Sequence, residues 1–179
     1  ASAHTGMTDA VRLAEVLDAT RIVVDVPTTA GPAVVAAAAA VISMCGRVFG
    51  DVAIARNAAM PINPWHVHSL DDLLDLLPGG SAGPVQREVT VSFGDHRGAD
   101  WFVGGDDWTT VVSRRPTTVG PARLGGLGLQ AAAAIVFGEV LKQVLMPLGM
   151  RCLPIEHTLV WNLLDARLAP APTLAPPAP

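Results

Sequence analysis

The chain has 179 residues, 50% of them hydrophobic and 16% charged, with a net charge of −4. That supplies one good core and argues for one domain. The acidic balance, with eleven arginines and a single lysine (Lys142) scattered along the sequence, excludes the clustered positive surface that nucleic-acid binding needs.

Thr8 is placed to cap a first helix, with Ala10, Leu13, Ala14 and Leu17 on one face. Arg21 to Val26 is a β-branched run, apolar at nearly every position, as expected of a strand covered on both sides. Gly31-Pro32 opens an almost wholly apolar helix to Met44, closed by Gly46, and Arg47 to Ala55 returns as a second strand. A strand–helix–strand crossover is nearly always right-handed and parallel, so these pieces predict the start of an open parallel sheet. Asn57 to His68 is irregular, and Ser69 caps a helix with Leu70, Leu73, Leu74 and Leu77 in one stripe. Pro78 to Pro84 reads as a flexible loop.

From Glu88 the pattern alternates. Glu88–Phe93, Asp100–Val103 and Trp108–Ser113 predict three short strands in an antiparallel meander. A Pro/Gly-rich loop, Pro116 to Gly128, precedes a long helix from about Leu129 to Leu145, and Thr158–Leu163 is a last strand. The expected fold is thus α/β: a three-layer Rossmann-like sandwich with a mostly parallel sheet and an antiparallel extension. It occupies residues 1–168. Residues 169–179, with five prolines, read as a linker or disordered tail and hint at a longer protein.

The stretch Leu127–Met146 is apolar enough to raise a membrane span, but Gln130, Glu139, Lys142 and Gln143 interrupt it. The N-terminus lacks a basic region followed by an apolar run, which predicts no secretory signal. Cys45 and Cys152 have no Cys-x-x-Cys spacing and read as small core hydrophobes. Together these features predict a soluble, reduced, cytoplasmic protein.

Three segments carry a resemblance: Ile62-Asn63-Pro64 followed by Trp-His-Val-His; Phe102-Val-Gly-Gly-Asp-Asp-Trp108 running into Val111-Val-Ser113; and Gly120 to Gly128 followed by Ala131–Ala134, Phe137 and Glu139 to Lys142. In this order they resemble the ThiF/HesA family of adenylating enzymes, related to the activators of ubiquitin and of sulfur-carrier proteins. More narrowly, they are similar to the degenerate adenylation-like half that precedes the active one in some bacterial members. The resemblance covers roughly Asp18 to Asp165. It implies a non-catalytic module that dimerises with, or precedes, an active ThiF-type domain, or pairs with a second copy of itself. ATP would then sit on the partner domain, with a ubiquitin-like or sulfur-carrier protein engaged indirectly and no cofactor on this chain.

The departures from active members carry the same message. The turn after the first strand is Pro27-Thr-Thr-Ala-Gly-Pro32, where a dinucleotide fold places Gly-x-Gly-x-x-Gly. Pro27 and Pro32 remove two N–H donors, and the Thr and Ala side chains crowd the approach. Thr28, Thr29 and Gly31 are therefore the weak candidates for contact with a small anion, with helix capping as the plainer role of the threonines. Arg12 matches best the position from which the family supplies an arginine across the dimer to the partner's ATP.

Other residues invite chemistry and have plainer explanations. His66 and His68 with Asp71 or Asp72 suggest a metal site, but loop histidines and helix capping account for them, and no metal is expected. Asp95-His96 with Asp100, and Asp106-Asp107, lie in turns where such residues serve local hydrogen bonds. Arg151-Cys152 and Glu156-His157 lack a partner that would make them reactive. Arg114, Arg115 and Arg123 read as solvent-facing charges. No catalytic residue is assigned. The alternatives are a nucleotide- or acyl-phosphate-binding transferase using Gly125–Gly128 with Asp106 or Asp107 as base, and a stand-alone scaffolding protein.

Overall fold

The computed structural model describes residues 2–56, 58–60, 67–78, 84–120, 122, 125–165 and 167–168, with side chains from residue 9 onward except at 167 and 168. His66, the Asn63-Pro64 segment, most of the 78–84 loop, Arg123 and the 169–179 tail lie outside the described residues.

Helix α1 (Ser2–Asp18) leads into β1 (Thr20–Asp25), then α2 (Pro32–Cys45) and β2 (Asp51–Arg56). A short helix α3 (Leu70–Asp75) precedes β3 (Arg87–Ser92), β4 (Trp101–Gly105) and β5 (Thr109–Ser113). The long helix α4 (Leu127–Leu145) is followed by β6 (Thr158–Asn162) and the two-residue β7 (Arg167–Leu168). One sheet holds all seven strands in the order β2-β1-β3-β4-β5-β6-β7. The first four pair in parallel and the last three extend the sheet antiparallel, the Rossmann-like arrangement expected.

The core lies where α2, α3 and α4 meet one face of the sheet. Ile22, Val24, Val89, Val91, Trp101, Val103 and Val112 alternate along their strands and pack against Val35, Ala38, Leu70, Leu73, Ala132, Val136 and Val140. On the opposite face, Val23, Ala53 and Thr90 stay half-buried, and Arg21 pairs with Asp51 at 2.5 Å. The run 21–26 is therefore more exposed at Val23 than a strand covered on both sides would be. Near β4 that face is approached by a returning loop, since a side chain at Gly104 would stand 2.6 Å from the Thr118 carbonyl oxygen.

Several boundaries depart from expectation. α1 begins well before Thr8, which lies inside the helix rather than at its cap. Residues 47–50 form turns, not the start of β2: Val48 and Phe49 donate to the Cys45 carbonyl, and Gly50 is pressed against the Asp18 backbone. β3 is no part of a meander, because it joins β1 in parallel. The β3–β4 pair is parallel too, although eight residues join them and crossovers normally take a dozen or more. Stagger resolves this: Trp101 pairs with Val91 and Phe102 with Ser92, so β4 starts where β3 is ending and the loop hardly needs to run back.

Among the described residues, α4 is the helix long and apolar enough to cross a membrane by length and composition. It is also a core helix, with Leu129, Ala132, Ala133, Val136, Val140 and Val144 fully buried. Three of the polar residues that interrupt it, Glu139, Lys142 and Gln143, are used internally. Glu139, buried, pairs with Lys142 and accepts from the Ile155 N–H at 2.8 Å; Gln143 accepts from Trp101 Nε1 at 2.8 Å and donates to Asp100 at 3.1 Å. Arg114 lies 3.4 Å above the Trp101 ring, which is a cation–π contact.

Candidate functional site

β1 leads through α2 to β2 on one side, while β3 returns on the other side of β1. Such a reversal is where α/β sheets bind ligands, in the crevice beyond the carboxyl ends of the strands. A cavity of about 380 Å³ lies there, lined by Pro27, Thr29 to Val34, Phe93, Val119, Gly120 and Ala122. Thr29 and Gly31, drawn from the sequence as weak candidates, are part of its wall; Thr28 is exposed beside it.

The turn that builds the wall closes on itself. Ala30 N–H donates to the Pro27 carbonyl at 2.9 Å, and Val34 and Val35 both donate to Gly31 O, at 3.0 and 3.2 Å. Pro32 begins α2 and has no N–H to offer. Gly31 is the helix N-cap and no side chain caps it, so the capping role expected of Thr28 and Thr29 is not found. A phosphate needs the free N–H groups of a helix start; here Pro32 has none, and those of Val34 and Val35 are committed to the Gly31 carbonyl.

Behind the crevice, at the tips of three of the four parallel strands, sits a polar cluster that sequence reading missed. Asp25 ends β1, fully buried. Arg56 ends β2 and grips it with two hydrogen bonds, of 2.6 and 2.7 Å. Ser92 ends β3, donates to the same carboxylate at 2.9 Å and accepts from the Gly94 N–H at 3.1 Å. His96 Nδ1 stands 3.9 Å from Asp25. Burial by itself raises the Asp25 carboxyl, but the Arg56 and Ser92 hydrogen bonds and the Arg56 charge outweigh it and hold the group below its ordinary value. Arg56 is in turn raised by the same bonds. The signal available in sequence was an aspartate closing an apolar run, which is rare without a partner.

No protein-family model and no curated protein matches the chain.

The glycine-rich turn at 125–128 does receive an anion, but the anion belongs to the chain. Gly126 is the N-cap of α4 with a left-handed φ of 67°, and its N–H donates to Asp107 Oδ1 at 3.0 Å. Gly128 donates to the Asp107 carbonyl at 2.9 Å. Asp106 accepts from the N–H groups of Trp108 (2.8 Å) and Thr109 (2.7 Å), the hydrogen bonding expected of a turn aspartate. Oδ1 of each of the two aspartates is thus engaged by backbone N–H groups of the turn and the helix start.

The remaining candidates are dispersed. Arg12 is exposed on α1, in a shallow depression with Glu15, Asp18, Pro84 and Gln86, at the opposite end of β1 from the crevice. Asp72 completes a capping box with Ser69 and also accepts from the His68 N–H at 2.9 Å, as the capping explanation required. Among the described residues no group of three or more His, Cys, Asp or Glu could hold a metal. Cys45 is buried and its thiol is pushed up to about 12 by burial, whereas Cys152 is half-buried rather than core.

Proposed function

We propose that this chain is a non-catalytic, ThiF-type adenylation-like module that works by assembly. It pairs with an active adenylating domain, or with a second copy of itself, and leaves ATP and the ubiquitin-like or sulfur-carrier protein to that partner. The observation that supports this reading is the turn from Pro27 to Gly31. It occupies the position of a phosphate loop, yet it lacks that loop's glycine pattern, Pro27 and Pro32 carry no N–H, and the Ala30 N–H bonds within the turn. In this reading Arg12, exposed on α1, reaches across to the partner, and the module acts in the cytoplasm.

Size-exclusion chromatography of the chain mixed with an active ThiF-type domain tests the assembly. Co-elution at micromolar concentration is expected, and separate elution across that range counts against it. Calorimetry with Mg·ATP tests the non-catalytic part, with no binding heat expected from this chain alone.

A further inference from the structure

We propose that the crevice between Pro27, Phe93 and Val119 binds an uncharged, largely apolar small molecule. This goes beyond the assembly role, though it rests on the same closed turn. The volume, about 380 Å³, lies within the range of small-ligand pockets. Phe93 and Val34 line it while nearly fully buried themselves, with Ala30, Ala33, Val119 and Ala122 around them.

Charge selects the ligand class. Among the described lining residues none is ionisable, and the polar side chain is Thr29 at the mouth. Among the described residues, Asp106, close behind Gly120, accepts from the Trp108 and Thr109 N–H groups, and Asp25 and Arg56 are spent on each other. Gly94 stands between them and the crevice wall: a side chain there would be 2.7 Å from Pro27 Cγ and 3.8 Å from Arg56 Nη2. An anion would lose its hydration and meet no cationic side chain among the described lining residues. A neutral apolar body gains from every part of the wall it covers, and one hydroxyl or amide on it can meet the Thr29 hydroxyl.

The neutral fluorophore 1-aminoanthracene serves as probe, titrated into the full chain. Saturable binding is expected, with methyl resonances of Val34 and Val119 shifting in step. Ala30→Leu and Ala122→Leu, each of which adds bulk at a lining position, should each weaken it about tenfold or more, with thermal melts confirming that both fold. Millimolar ATP should leave the probe in place. No saturable binding, binding indifferent to both fillings, or displacement by ATP would overturn the proposal. Binding heat with ATP in the absence of probe would instead strike at the non-catalytic reading, so the two failures are distinguishable.

Discussion

The guanidinium of Arg56 holds the buried carboxylate of Asp25 through two hydrogen bonds, of 2.6 and 2.7 Å, across the tips of β2 and β1. Ser92 ties the same carboxylate to β3. A single buried charge thus gathers three parallel strands at the end where the crevice opens. Removing Arg56 leaves that carboxylate unpaired. Arg56→Ala should cost about 1–3 kcal/mol, less than a wholly buried pair because the arginine side chain is 38% exposed. Urea unfolding at neutral pH measures it.

The same contact makes a pH prediction. The folded-state carboxyl of Asp25 titrates below its unfolded value. The stability it contributes is therefore complete above the ordinary carboxylate range and is lost as pH falls through the lowered folded value. The stability gap between the wild type and Arg56→Ala should be widest near neutrality and shrink in acid. A gap that stays constant down to strongly acidic pH would refute the assignment.

Asp107 caps α4 from a distant turn, through the Gly126 N–H. Asp107→Ala should destabilise by about 0.5–2 kcal/mol, the ordinary cost of a lost cap, and free the start of α4. Faster amide exchange at Gly126 is the specific readout.

Gly128 sits where β5 and the turn before it crowd α4. A methyl added there would stand 2.7 Å from the Asp106 carbonyl oxygen. Gly128→Ala should cost about 1–3 kcal/mol through overpacking. Gly138→Ala is its control, since nothing lies within 4 Å of the added carbon, and the better helix former should raise the melting temperature.

Lys142 bridges the buried Glu139 and the Leu153 carbonyl, binding the loop after α4 to the helix. Lys142→Met keeps the apolar stem but strands the carboxylate, so it should cost about 1–3 kcal/mol. Protease cleavage between 149 and 157 should accelerate.

The elements that sequence reading located well were those whose signals are local. The apolar run of α2, the Ser69 cap with Asp72, the leucine stripe of α3 and the turn chemistry of Asp106 depend on residues within a few positions of one another. The readings that failed needed distant partners. β3 alternates like a meander strand, yet β1, more than sixty residues earlier, recruits it into the parallel set. Thr28 and Thr29 carry capping side chains, but the chain path puts Gly31 at the cap. Asp25, Arg56 and Ser92 look unrelated along the chain, since each merely ends a strand.

What the amino-acid order determined alone was the fold class, and also that two N–H donors are missing at the turn after β1, because proline removes its donor wherever it stands. Only the tertiary structure decided that the Ala30 N–H closes the turn, which carboxylate fills the glycine-rich turn, and that a crevice remains at the switch point. Those outcomes depend on strand order and register, which bring together side chains and backbone groups that no local pattern couples.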